Sequence, residues 1–180
     1  MALLILLTSA ALGQGKDVVK LPAPAHKGTL SVEEALQRRR TVRHFASRSL
    51  TLNQVSQLLW GADGVSDPRG FRTAPSAGAT YPLELYLVVG ERGVEDLAPG
   101  LYRYLPQAHA LEPTGAKGDL RALVARTSLY QSWMAEAPVM VVIAAEYRRV
   151  GAFEDRALAQ ILQLPANHEP LLVMPVGYKY

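Results

Sequence analysis

The sequence contains no cysteine, which excludes a disulfide framework, a thiolate metal site and a cysteine nucleophile. The excess of positive over negative charge is also small. The net charge is only +3, and the basic residues are dispersed outside one short stretch. Nucleic acid is therefore not a favoured partner. The four histidines lack the paired spacing of metal ligands. No serine has an evident histidine and aspartate context, so the sequence does not favour a hydrolase.

What is present indicates one α+β domain. The 180 residues can bury a core, and 49% hydrophobic with 19% charged residues is an ordinary globular composition. Capping motifs at 31–34 and 51–54 predict two helices, while a helix at 119–128 is compatible with continuation through 136. Helices and strands intermix without a regular βαβ repeat, which favours the α+β class. Strands are expected at 83–89, 100–105, 108–111, 137–145 and 170–178, and a last helix at 154–162.

The N-terminus predicts an export signal. Residues 1–13 form an apolar run too short to span a bilayer, and Ala11-Leu12-Gly13 has the small-x-small pattern of a signal-peptidase site. A buried strand or helix is the alternative, because the run is preceded by neither Lys nor Arg. With cleavage the protein is periplasmic or secreted and keeps no membrane anchor, and without recognition it stays cytoplasmic. The mature chain then has an extended arm at 14–30 and a single domain at 31–180.

An arginine stretch, residues 38–45, follows the first predicted helix. It contains four arginines, Thr41 and a closing Phe45. Guanidinium groups stay charged and present planar donors that match phosphate oxygens. The stretch therefore predicts an anion site, and the alternative is a solvated basic helix end that the helix dipole favours.

A second stretch, residues 73–82, consists mostly of small residues. Small residues let the backbone approach a ligand closely and offer amides and hydroxyls as donors. Taken alone, a plain turn before the next strand is the simpler interpretation.

Three segments in this order resemble one family. Residues 38–45 resemble the Arg-Arg-Ser/Thr-x-Arg-x-aromatic signature of nitroreductases, and 73–82 resemble their Pro-Ser-Ala-Gly-x-x-Tyr-Pro segment. Residues 151–153 and 174–178 resemble the C-terminal end of the family. The resemblance is strongest to the SagB-type dehydrogenase branch. It implies an α+β sandwich with a mostly antiparallel sheet flanked by helices, and a homodimer with FMN bound at the interface.

The resemblance also implies residue roles and an activity. The activity is two-electron transfer between NAD(P)H and a nitroaromatic, quinone or related small-molecule acceptor. The flavin carries that chemistry, so no catalytic side chain is expected. The implied FMN contacts are Arg39, Arg40, Thr41 and Arg43 to the phosphate and ribityl chain, Pro75, Ser76, Ala77 and Gly78 from the partner subunit, and Lys179, which equally fits a solvated tail.

One departure from the family pattern leaves a second function open. Relatives of this branch carry several dozen residues before the segment that begins here at Gly151, including an interface helix and a turn that meets the flavin ring. Here residues 148–150 lead directly into Gly151. A connection this short cannot contain a crossover helix. The alternative is a truncated nitroreductase-like fold without flavin turnover, acting as a non-catalytic or binding module.

Overall fold

The computed structural model describes residues 18–149. The expected signal peptide, the helix at 154–162, the strand at 170–178 and Lys179 lie outside the described residues. Short 3-10 helices occur at Ala77–Ala79, Ser132–Glu136 and Tyr147–Arg149. The strands in this range are β1 (Val19–Lys20), β2 (Leu83–Val89), β3 (Gly100–Leu105), β4 (Ala110–Lys117) and β5 (Val139–Ala145), and the α-helices are α1 (Val32–Arg38), α2 (Leu52–Asp63) and α3 (Arg121–Thr127).

The described chain divides into two compact units. The larger one comprises residues 18–74 and 83–144, and the smaller one comprises 75–82 and 145–149. All three α-helices and β1 to β4 belong to the larger unit.

The strands form one sheet in the order β1-β4-β3-β2-β5. The pairs β1–β4, β3–β4 and β2–β3 are antiparallel. β2 and β5 are also antiparallel. The Gly90 amide donates to the Pro138 carbonyl at one end of the two strands, and the Glu146 amide donates to the Pro82 carbonyl at the other end. An antiparallel sheet with separate helices confirms the predicted α+β class.

The core of the larger unit forms where α2 packs on the sheet. Val55 and Leu59, four residues apart on one face of α2, are fully buried together with Leu87 of β2 and Leu111 of β4. Along β3, buried and half-buried residues alternate, as expected for a strand with one face in a core. Tyr104 of β3 belongs to this cluster and is almost completely buried.

The predicted helix starts are confirmed, although one cap differs from the expectation. Thr51 and Gln54 form a complete reciprocal capping box at α2. At α1 the Ser31 hydroxyl accepts from the Glu34 amide, but the Glu34 carboxylate pairs with Arg38 instead of reaching back. The nearby guanidinium attracts the carboxylate more strongly than a backbone amide does.

The expected continuation of α3 through residue 136 is wrong. Leu129 and Tyr130 adopt φ of 55° and 57°, a left-handed conformation that ends the helix. A separate 3-10 helix follows at Ser132–Glu136. On α3 Leu123 is exposed, whereas Val124 packs against the sheet.

Candidate functional site

The arginine stretch leaves α1 as irregular, mostly exposed chain. Arg38 donates to the Glu34 carboxylate at 2.7 Å. Arg40 Nη1 donates to the backbone carbonyls of residues 37 and 39, each at 2.8 Å. In contrast to Arg38, none of Arg39, Arg40 and Arg43 forms an ion pair with a carboxylate of residues 18–149. Their positive charge is therefore available to an external anion, and Thr41 lies between them in sequence.

The end of the stretch lies on the 3-10 helix Ser132–Glu136. The Arg43 guanidinium carbon lies 5.7 Å from the centre of the Trp133 ring, a cation–π distance. The Phe45 ring stacks on the same indole, with centroids 6.4 Å apart and planes 18° apart. His44 Nδ1 lies 4.0 Å from Glu136 Oε2 in an exposed pair. Three consecutive residues thus contact one short helix.

The chain that follows is fixed to the turn after β2. The Ser49 hydroxyl donates to the Arg92 carbonyl at 2.6 Å, and the Leu50 amide donates to the Gly93 carbonyl at 2.9 Å. An open cleft of about 740 Å³ lies between residues 45–49, 91–93 and 135–138. Both acidic and basic side chains line the cleft, so its charge does not select one sign of ligand.

The small residues 75–78 belong to the smaller unit and form a tight, exposed turn. Gly78 has φ of 61°, a conformation that glycine adopts without the Cβ penalty. Ala79 and Tyr81 also have positive φ, which is uncommon for residues that carry a Cβ. The Tyr81 amide donates to the Ser76 hydroxyl at 2.8 Å and closes the turn. Pro75 and Ala77 are exposed beside it.

The chain leading into this turn is anchored by a buried ion pair. Asp63-Gly64 indicates only turn chemistry in the sequence, but Asp63 ends α2 with 2% of its side chain exposed. Arg72 Nη1 donates to Asp63 Oδ2 at 2.6 Å. Burial raises the pKa of Asp63, and Arg72 partly offsets that rise. The Thr73 hydroxyl donates to the Trp60 carbonyl at 2.9 Å, so the segment before residue 75 is fixed to α2.

The sequence alone did not identify this anchor or the contacts of Arg43 and Phe45 with Trp133. Trp133 lies about ninety residues along the chain from both. Asp63 and Arg72 are only nine residues apart, but their pairing has no local periodic signal. Between residues 18 and 149 there is no group of three His, Asp or Glu side chains arranged to hold a metal ion. The same residues include no helix with the length and apolar content needed to cross a membrane.

Comparison with known proteins identifies the family. The sequence model described as "Nitroreductase family" matches residues 36–151. A protein of Methanocaldococcus jannaschii named "putative nitroreductase" is 35% identical over 192 aligned residues, which cover 83% of this chain and 92% of that protein. The crystal structure of a "putative nitroreductase" from Ralstonia eutropha has a TM-score of 0.62 and 27% identity, and covers 92% of this chain and 91% of that one. A shorter match, 37% identical over 67 residues, is to the microcin B17-processing protein McbC of Escherichia coli and covers 25% of that protein.

The chain belongs to the nitroreductase family. That family generally uses a flavin cofactor in oxidoreductase reactions. The fold of the described residues, an antiparallel sheet with separate helices, agrees with this membership.

Proposed function

We propose that this protein is an FMN-dependent oxidoreductase that moves two electrons between NAD(P)H and a nitroaromatic, quinone or related acceptor. One observation carries the proposal for this chain: three neighbouring arginines, Arg39, Arg40 and Arg43, have no carboxylate partner among residues 18–149. Bound FMN supplies the electron exchange itself. The role of the protein is to bind and orient the cofactor.

The donor chemistry of the stretch fits a phosphate. Arg39 is exposed, and none of its side-chain donors has a hydrogen-bond partner within residues 18–149. The Arg43 guanidinium carbon lies over the Trp133 ring, and no hydrogen bond within residues 18–149 occupies its N–H groups, which leaves them for an anion. Arg40 already gives Nη1 to two carbonyls and has its other nitrogens to offer. Thr41 adds a hydroxyl, and Lys179 is proposed as a further phosphate partner.

The turn at 75–78 is proposed to approach the flavin of a second subunit. Its small side chains and the positive φ of Gly78 bring backbone to the surface of the protein, where a flat ring can lie against it. Ser76 already accepts from the Tyr81 amide, and this bond supports a fixed shape for the turn.

Flavin titration tests the phosphate role. FMN and riboflavin share the ring system and differ by the phosphate, so the ratio of their dissociation constants measures phosphate recognition. Arg39→Ala should weaken FMN binding by roughly 1.5–3 kcal/mol, the scale of a charge-assisted hydrogen bond, and leave riboflavin binding unchanged. Arg38→Ala is the matched control, because Arg38 is already paired with Glu34. Equal losses in the two variants would reject the assignment.

We also propose export and a homodimer. N-terminal sequencing of the mature protein should begin at Gln14, and retention of Met1 would contradict export. For the dimer, α1 buries none of its residues and exposes Val32 and Leu36 on one side, an apolar surface that a second copy could cover. Light scattering of the purified protein should give twice the mass of one chain.

A second candidate function rests on the length of the connection after β5. The alignment to the M. jannaschii protein spans 192 residues, more than the 180 of this whole chain. The relative therefore has residues at positions where this chain has none, which supports a shortened segment, and the family match ends at residue 151. A protein shortened there would be a binding module without flavin turnover. A purified chain that stays colourless and takes up no added FMN would favour this candidate over the first.

A further inference from the structure

We propose that Trp133 is a positioning residue that holds Arg43 in the orientation needed to bind a phosphate group. This inference rests on the proposed FMN site, and it assigns a role to a residue outside the family motif. The indole is half-buried and receives two partners, the Arg43 guanidinium at 5.7 Å and the Phe45 ring at 6.4 Å.

The geometry explains why an aromatic residue suits this position better than a carboxylate. A carboxylate would bind the in-plane N–H groups of Arg43, the same groups that hold a phosphate. An indole attracts the cation through the face of its ring and offers no carboxylate oxygen to compete for those N–H groups. Trp133 can therefore restrict the motion of Arg43 without competing with the ligand.

The helix that carries Trp133 is itself well anchored. Met134 and Ala135 pack against a core cluster that contains Val88 of β2. At the C-terminal end of the helix, Arg121 Nη1 donates to the Ala137 carbonyl at 2.8 Å. A rigid support of this kind lowers the conformational entropy that Arg43 loses on binding.

Phe45 is the second residue of the arginine stretch that contacts Trp133. Its ring stacks on Trp133 two residues after Arg43 and fixes the direction in which the chain leaves the stretch. The anchoring of Ser49 and Leu50 to residues 92 and 93 fixes the chain further on. The arginine stretch is thus held at its C-terminal end by Trp133 and at its N-terminal end by α1.

The test compares FMN with riboflavin in Trp133 variants. Trp133→Ala should weaken FMN binding about three- to tenfold, the range expected from loss of a cation–π contact, and leave riboflavin binding unchanged. Trp133→Phe keeps an aromatic face and should restore most of the FMN affinity. Tyr130→Ala is the matched control, since this nearby aromatic side chain is 80% exposed. Equal weakening of both flavins by Trp133→Ala, or weakening of neither, would overturn the positioning role.

A double-mutant cycle keeps the test decisive if Trp133→Ala does not fold. In an Arg43→Gln background, Trp133→Leu, which removes the aromatic face but keeps an apolar side chain, should have no further effect on FMN affinity, because the contact is already lost. An undiminished effect of Trp133→Leu in that background would show that Trp133 does not act through Arg43.

A readout without flavin separates this inference from the proposed function. The chain has two tryptophans, so Trp60→Phe leaves Trp133 as the single tryptophan, whose emission can be excited separately from that of the tyrosines. Inorganic pyrophosphate should then change the Trp133 emission, and Arg43→Gln should abolish the change. If the protein binds no flavin but shows this response, the FMN proposal fails and the positioning role stands. If pyrophosphate has no effect while FMN still binds more tightly than riboflavin, the positioning role fails.

Discussion

Replacing Arg72 by methionine should strongly destabilise the protein, because it breaks a buried ion pair. The Asp63–Arg72 pair has side-chain exposures of 2% and 13%, and the joining atoms are 2.6 Å apart. Methionine keeps the apolar part of the side chain but leaves the Asp63 carboxylate buried without its guanidinium. Breaking a buried pair in this way costs about 3–5 kcal/mol. That is a large part of the total stability of a typical domain, about 5–15 kcal/mol.

The loss should depend on pH in a defined direction. Burial raises the folded-state pKa of Asp63, so its protonated form contributes stability below the unfolded pKa, and that contribution is lost as the pH rises through the folded pKa. Arg72 lowers this pKa, so its removal raises the pKa further. The deficit of Arg72→Met should therefore be smaller at pH 4 than at pH 8. Tyr104 lies in the same region, but burial raises its pKa to about 12 and it stays neutral over this range.

Urea unfolding at the two pH values measures the effect. Asp63→Leu combined with Arg72→Met should recover most of the lost stability, because no unpaired charge remains. Arg69→Met is the control, since the Asp67–Arg69 pair lies in the same loop with Arg69 74% exposed, and it should change stability little. A deficit for Arg72→Met below about 1 kcal/mol, or one that is independent of pH, would refute the argument.

Two further predictions concern stability. Thr51→Ala removes a reciprocal capping box and should cost about 1 kcal/mol in urea unfolding, while Ser31→Ala should cost less, because α1 buries no residue. Equal costs would contradict the dependence on packing. The hydrogen bonds of Arg121 hold the pKa of Asp119 well below its usual range, so this carboxylate stabilises the fold above its unfolded pKa of about 3.9 and loses that effect as the pH falls. Asp119→Asn should therefore cost roughly 1.5–3 kcal/mol at pH 6 and less at pH 2, and a constant difference would exclude this linkage.

Much of the described fold could be predicted from local signals. Capping residues and apolar spacing placed the starts of α1 and α2, and the β-branched run at 139–145 gave a strand in the predicted place. The C-terminal end of α3 could not be predicted. The helix ends where Leu129 and Tyr130 adopt a left-handed backbone conformation, and neither residue type favours that conformation. The extent of β4 was also underestimated. Pro113 and Gly115 lie within that strand, and both residues are poor strand signals.

The candidate site was predictable only in part. The arginines were evident as a cluster of like charge, and the family signature gave them a proposed ligand. Their neighbours were not evident, since Trp133 lies about ninety residues from Arg43 in the chain. A sequence pattern reports neighbours along a helix or strand, whereas this contact depends on how the sheet brings the 132–136 helix back to the end of the stretch.

The contacts that do or do not neutralise the charge of each arginine support a binding role for the stretch. Adjacent like charges repel and lower stability, so a purely structural basic segment is expected to gather acidic partners. Arg38 follows this expectation through Glu34, but Arg43 lies on an indole and Arg39 has no acidic partner within residues 18–149. An indole stabilises the cation without supplying negative charge. The described chain thus holds Arg43 in position while leaving the charges of Arg39 and Arg43 uncompensated, and a bound phosphate would supply the missing charge.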